Sequence, residues 1–314
     1  MPPPAKPSLI RPIPLSPSAI PAHPSIALPL SSNAGTTDPH PSLSEFLHTT
    51  LTQAYTFITE TVPGKTFTAD PKLRHALHST AQVKLFSGAT QSTSRTIENP
   101  GSSKKGDKWF ARRSVHQNCA VKGTASFEEF VHALKDNHFE NESQYVQSLN
   151  SAETIAEWDC SGLDIEGGWS GVTACVKVSI HTFEPTSLFF NRAFPIIYIS
   201  AFLPAKLPAE PTGYINVHLP IQPAAIPVFS PPENTILSNY AAVELIQTIA
   251  QSTQVEWTMA TSSNAGGWIP AFVQQSWTLG GIPRAIVRNV GLFMQWVDGR
   301  RGMKPAAGED TGAE

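Results

Sequence analysis

Residues 239–262 run Asn-Tyr-Ala-Ala-Val-Glu-Leu-Ile-Gln-Thr-Ile-Ala-Gln-Ser-Thr-Gln-Val-Glu-Trp-Thr-Met-Ala-Thr-Ser. β-Branched and aromatic residues recur with a period of two on both sides of Gln251-Ser252-Thr253-Gln254, which predicts strands over 239–250 and 255–262 joined as a hairpin. With Ala250 opposite Val255, Glu244, Ile246, Trp257 and Met259 share one face. Glu256 and Thr258 share the other with Leu245 and Ile249. A charged residue thus stands on each face of the same hairpin, and the fold must provide for both.

The same period extends upstream. Strands are predicted over 82–87, 108–117, 153–160, 172–183, 194–203 and 213–219. Val176, Val178 and Ile180 alternate with Lys177, Ser179 and His181, as in a sheet with one buried face. The run 194–203 is apolar on both faces and should be covered on both. Helices flank these strands. Ser42-Leu43-Ser44-Glu45 has the form of a capping box, with Leu47, Leu51, Ala54 and Ile58 at helical spacing behind it and a stop at Pro63-Gly64. A second box, Ser126-Phe127-Glu128-Glu129, opens a helix whose stripe is Phe127, Val131, Leu134, His138, Tyr145 and Leu149. At the other end Asn264-Ala265-Gly266-Gly267 is a turn, Pro270 suits a first helical turn, and Gly280-Gly281 bends the segment. Ile282, Ile286, Val290, Phe293 and Val297 then form a long terminal helix. The order is α+β, with one large curved antiparallel sheet.

The chain has 314 residues, 40% of them hydrophobic and 15% charged, with a formal net charge of −3. Such a chain can bury a core, and its charge argues against a dedicated nucleic-acid binder. Twelve of its 28 prolines lie within residues 1–41. Proline fixes φ and removes a backbone donor, so 1–41 reads as an extended or disordered arm, either free or with apolar residues such as Ile10, Leu15, Ile20 and Ile26 against the domain; the domain spans 42–302, with a disordered tail over 303–314. Prolines also break every apolar run of the arm, unlike a secretory signal. No window has the length of a membrane span. Cys119, Cys160 and Cys175 form no CxxC pair, and their odd number suits reduced thiols. An intracellular, cytoplasmic protein is the expectation.

Several residue sets resemble those of a known family. Trp109-Phe110-Ala111-Arg112-Arg113-Ser114-Val115-His116 and Val255-Glu256-Trp257-Thr258-Met259-Ala260-Thr261 are similar to two strand signatures of a START-like fungal family of unknown function. Phe127 to Tyr145, Asn191-Arg192-Ala193-Phe194-Pro195 and the passage Asn264 to Pro270 fit the same pattern. The resemblance implies a helix-grip fold of the Bet v 1-like superfamily, with the sheet wrapped around the C-terminal helix and a hydrophobic cavity between them. It implies no assigned reaction and no cofactor.

Motifs for other chemistries fail on spacing. Gly64-Lys65-Thr66 lacks the earlier glycine of a P-loop, since that position is Thr59. Gly168-Trp169-Ser170-Gly171 has Val172 where a nucleophile elbow needs glycine, and reads as a turn. The ten histidines form no metal-ligand array, and His138 on its apolar stripe reads as a hydrogen-bonded core histidine. Lys104, Lys105, Lys108, Arg112 and Arg113 make a basic stretch, while residues 127–166 are strongly acidic; pairing between them suits the pattern better than a nucleic-acid site.

Candidate ligand-binding residues follow from period two. Phe110, Arg112, Ser114 and His116 share a face. If it looks inward, Arg112 and His116 offer a cation and a titratable donor to a ligand head group, and the partner of Arg112 is either Glu256 or a ligand carboxylate or phosphate. Trp158, Tyr198, Trp257 and Phe272 are large aromatics near the expected cavity, with Trp268 and Trp277 beside them. The leading functional expectation is binding, extending to transfer, of a lipid or other apolar small molecule. The alternative is a cyclase- or hydrolase-like enzyme using His116 and Glu256. Arg284, Arg288, Arg300, Arg301 and Lys304 would place the terminal helix near an anionic membrane as a peripheral contact.

Overall fold

A computed structural model describes residues 8–26, 40–90, 106–182, 190–205, 212–264 and 271–301. Its centre is one antiparallel sheet. The strands are β1 (Phe67–Ala69), β2 (Arg74–His75), β3 (Gln82–Thr90), β4 (Asp107–Gln117), β5 (Leu149–Trp158), β6 (Ser170–His181), β7 (Asn191–Phe202), β8 (Gly213–Pro220), β9 (Thr235–Leu237), β10 (Asn239–Ile249) and β11 (Gln254–Asn264). They pair in the order β1-β3-β4-β11-β10-β8-β7-β6-β5, with β2 on β3 and a short parallel β9 on β7. The order brings β4 beside β11, so the two signature strands read separately in the sequence are hydrogen-bonded neighbours. The β10–β11 hairpin pairs Ile249 with Gln254 and Thr248 with Val255. This is two residues from the expected register, and because side chains alternate with period two the faces come out as expected.

The helices are α1 (Leu43–Thr56), α2 (Phe127–Val131), α3 (His138–Tyr145), α4 (Ala271–Gln274) and α5 (Ile282–Arg301). The Ser126 and Glu129 side chains each accept from the other's backbone N–H, a complete capping box. The helix expected to run on to Leu149 is broken instead. α2 passes into a π-helical turn over His132–Asp136, Asn137 leaves helical dihedrals, and Leu149 opens β5. The Asn141 side chain donates to the His132 and Ala133 carbonyls freed by that break, which satisfies them. A long single stripe therefore concealed two short helices.

The two faces of the sheet are covered by different elements. One, the arm face, carries Trp109, Val243, Leu245, Ile215, Val217, Ile197, Ile199, Val176 and Val178. It packs against Phe46, Leu47 and Leu51 of α1 and against the N-terminal arm, whose Ile10, Leu15, Ile20 and Ile26 are buried. Leu15 bridges Ile221 in parallel, and Pro17–Ala19 forms one 3-10 turn. Residues 8–26 are thus part of the fold. The other, the α5 face, receives Ile286, Val287, Val290, Phe293, Met294 and Val297, packed on Val83, Leu85, Phe110, Tyr214 and Trp257. Phe293 stacks on Phe130 with centroids 5.0 Å apart. Gly291 lies so close to the Leu77 backbone that a Cβ there would stand 2.1 Å from its oxygen. At the helix C-terminus Arg301 donates to Glu129 and to the Val121 and Thr124 carbonyls, fixing α5 to the start of α2. A curved antiparallel sheet holding a long C-terminal helix is the helix-grip arrangement.

Candidate functional site

The α5 face is where buried polar side chains collect. Arg112 on β4 opposes Met259 on β11, Met259 opposes Glu244 on β10, and Glu244 opposes Asn216 on β8. Directly opposed residues point to the same side of a sheet, so register alone lines Arg112, Glu244 and Asn216 across three strands. Arg112 is 1% exposed. Its Nη2 lies 3.7 Å from Glu244 Oε1, and its guanidinium sits 3.8 Å from the centre of the Trp257 ring. Glu244 is held from two other sides: Trp257 Nε1 donates to Oε1 at 2.7 Å and Asn216 Nδ2 donates to Oε2 at 3.2 Å. Asn216 also donates to the Leu134 carbonyl of the π turn and accepts from Tyr198 Oη.

Burial acts on each ionisable group in this row. It pushes the Arg112 pKa down to about 10 against the opposing pull of Glu244. His116, further along β4, is lowered to about 3 by burial and then by the Arg112 charge, so it is neutral. Its Nε2 is 2.9 Å from Ser114 Oγ. Arg112 Nε, Arg112 Nη1 and His116 Nδ1 are buried without a hydrogen-bond partner among the described residues. Unmade hydrogen bonds of a buried cation cost more than those of a neutral group, so this row lacks something that accepts from it.

A second polar group lies beside the first under α3. His138 Nδ1 is 2.9 Å from the Leu134 carbonyl and its Nε2 is 3.5 Å from Glu142 Oε2. Its ring stacks on Tyr198 and meets His218 edge-on. His218 Nδ1 is 2.5 Å from Tyr240 Oη. Burial works against charge on His138, but the Glu142 carboxylate outweighs it and raises the pKa to about 8. His218, without such a partner, is lowered to about 3 by burial, with His138 adding to it. The sequence reading of His138 as a hydrogen-bonded core histidine describes its position, and its ion-pair partner Glu142 stands four residues further along the same helix. Asn216, His218, Tyr240 and Glu244 come from strands distant in sequence, and only the pairing of β8, β10 and β11 unites them.

Of the residues proposed from sequence, Arg112, His116, Tyr198 and Trp257 share the α5 face. Glu256 does not. It opposes Val115 on the arm side and lies 3.6 Å from Arg113, so the buried partner of Arg112 is Glu244, which corrects the expected pairing. His116 and Glu256 are therefore not assembled as an acid–base pair. Trp158 also faces the arm, donating to the Ala22 carbonyl and meeting the His23 ring. It borders a surface pocket of about 740 Å³ lined also by Cys160, Trp169 and Thr173, outside the polar row. Phe272 on α4 is 67% exposed. Trp277 lies under Arg74 at 4.4 Å. Trp268, Gly266, Gly267, Lys104, Lys105 and Lys304 fall outside the described residues. Among the described residues no group of three or more His, Cys, Asp or Glu could hold a metal, and no helix is long and apolar enough to cross a membrane.

Solved structures with a similar course of chain include human StAR-related lipid transfer protein 5, at 13% identity and a TM-score of 0.47, covering 73% of this chain and 87% of that one. Human STARD10 matches with the same identity and score, over 73% of this chain and 75% of its own. Ara h 8.0201 is 9% identical with a TM-score of 0.27, covering 60% of this chain and 97% of that one. No curated protein matches the sequence. A family model described as a protein of unknown function, DUF3074, matches residues 109–297, from Trp109 at the head of the β4 signature to Val297 in α5. That span is more than half of the chain and contains the whole polar row, and the chain belongs to the DUF3074 family.

Proposed function

We propose that this domain holds an apolar small molecule, of lipid-like character, between the α5 face of the sheet and the terminal helix. One observation carries the reading: the α5 face buries a charged pair and two neutral histidines, whereas the charged pair of the arm face, Arg113 and Glu256, stays partly exposed. A face that serves only to close a core gains most by being apolar. Arg112, Ser114, His116, Asn216, His218 and Glu244 on the α5 face are each 6% exposed or less; Asn216, His218 and Glu244 are held by protein partners, and the unmet donors of Arg112 are what a bound molecule would use. The aromatic groups around them, Phe130, Trp257 and Phe293, suit the apolar body of a ligand. Each buried methylene would add about 0.8 kcal/mol, so few polar contacts are needed to orient such a molecule.

Entry requires α5 or its approach to move. Gly280 has φ +81°, and Gly281 sits with its Cα against the Gln274 carbonyl, where a Cβ would be 2.3 Å away. Gly280 needs the left-handed region and Gly281 has no room for a side chain, and this glycine pair before α5 serves as the hinge in this reading. Membrane delivery by the basic residues of α5 is weakened in one respect, because Arg301 is engaged with Glu129 and Asp298. The test is native mass spectrometry of the protein purified without detergent or organic solvent. The reading expects one equivalent of a co-purifying apolar molecule, lost on extraction and restored on incubation with a lipid extract. Protein that remains empty through both steps would contradict it.

A further inference from the structure

We infer that Arg112 selects an electrically neutral ligand oxygen, of ester, ketone or amide type, and discriminates against carboxylates and phosphates; this rests on the ligand-holding reading above. The reasoning concerns charge and hydrogen bonds separately. The charge of Arg112 is already matched by the buried carboxylate of Glu244 at 3.7 Å. Glu244 is locked in place by Trp257 Nε1 and Asn216 Nδ2, so it is a fixed feature of the site. His116, the other nitrogen base on the same strand face, has its Nε2 against Ser114 Oγ and lies in apolar surroundings against Phe130 and Trp257. The row around Arg112 therefore sums to no net charge. What it lacks is acceptors, since Arg112 Nε and Nη1 have no hydrogen-bond partner among the described residues.

A second carboxylate beside Glu244 would leave an uncompensated negative charge in a buried site, at a desolvation cost its hydrogen bonds do not recover. A neutral carbonyl oxygen supplies the missing acceptor without that cost, and a hydrogen bond from a cation is stronger than one between neutral groups. The Trp257 ring at 3.8 Å holds the guanidinium plane, so the donors are oriented before a ligand arrives.

The experiment uses the full chain and three chemically matched pairs: dodecanoic, oleic and cholanic acids, each with its methyl ester, below their micellar concentrations at pH 7.5. Binding is read by displacement of a fluorescent apolar probe. At least one ester is expected to bind ten-fold or more tightly than its acid, and Arg112→Met/Glu244→Gln should remove that preference. The double variant is chosen because it stays neutral and retains an acceptor for Trp257 Nε1. In the wild-type chain, the Arg112 Nε–H resonance, assigned by its loss in Arg112→Lys, should shift when the ester is added. Only the assignment uses a variant, and Arg112→Lys keeps the positive charge that pairs with Glu244. Acids bound as tightly as esters, or more tightly, would overturn the inference while leaving a ligand-holding domain. An ester preference with a stationary Arg112 resonance would overturn the role of Arg112. If none of the six binds and the native protein carries nothing, both this inference and the reading beneath it fall.

Discussion

The arm face and the α5 face of the sheet are made from the same strands, and alternate residues of each strand go to one or the other. On β8 the arm face receives Ile215, Val217 and Leu219, while the α5 face receives Tyr214, Asn216 and His218. On β10 the division is Val243 and Leu245 against Glu244 and Ile246. Solvent does not explain the contrast, because both sets are buried. On the arm face, α1 and Ile10, Leu15, Ile20 and Ile26 of the arm meet mostly apolar side chains, and the charged pair there, Arg113 and Glu256, stays partly exposed. The α5 face is covered too, but beneath its cover lies a charged group, Arg112, with two donors unmet among the described residues. One face keeps its charged pair near water, and the other buries one.

Substitutions on the two faces should sharpen this contrast. The largest effect is expected from Glu244→Leu, which strands Arg112 as an unpaired buried cation and should cost about 3–5 kcal/mol in urea denaturation. The neutral double variant Arg112→Met/Glu244→Gln should recover most of that loss. A single variant as stable as the wild type would mean that the pair is not truly buried. On the arm face, Ile20→Ala is expected to cost about 2–5 kcal/mol, since Ile20 is fully buried against the sheet. It should leave ligand uptake unchanged. If it is silent in chemical denaturation, the arm does not contribute to the core.

The next effect is a pH dependence confined to the α5 face. His138, at about 8, lies above its unfolded value of 6.5. Its contribution is complete below pH 6.5 and is lost as the pH rises through 8, on the order of 2 kcal/mol at 1.4 kcal/mol per unit. His116 and His218, at about 3, stay neutral in the fold, so acid favours the unfolded chain as the pH falls below 6.5. Stability should therefore decline on both sides of near-neutral pH. His138→Gln should flatten the alkaline side only, as read from melting temperatures between pH 5 and 9. An unchanged alkaline limb in that variant would remove His138 from the account. The smallest effect is expected from Arg113→Ala, whose partly exposed pair with Glu256 is worth under about 1 kcal/mol.

The contrast was legible in the sequence to different depths. Period two placed Glu244 and Trp257 together and set Glu256 opposite, and an error of two residues in the hairpin register did no harm for the reason already given. Arg112 and His116 were likewise assigned a common face from β4 alone. The identity of their neighbours was not legible, because the pairing of β4 with β11 joins residues 145 apart, as in the Arg113–Thr258 hydrogen bond. Glu256 adjoins Trp257 in sequence, and adjacency on a strand means opposite faces, so Glu256 lies on the side away from Arg112. The break between α2 and α3 also escaped the helical stripe, since the residues on either side keep their apolar spacing. The arm's apolar residues were visible, whereas their burial depends on an apolar sheet face that only the assembled strands create.

The most direct test of where a ligand sits is photochemical. The full chain would be incubated with a diazirine-bearing methyl ester of a long-chain fatty acid, irradiated, digested and mapped by mass spectrometry. Label is expected on peptides carrying the α5-face residues of β4, β8 and β10 and on α5 itself, competed by the unlabelled ester. Label concentrated on the arm, α1 or the pocket beside Trp158 and Cys160, and absent from the α5 face, would contradict the account.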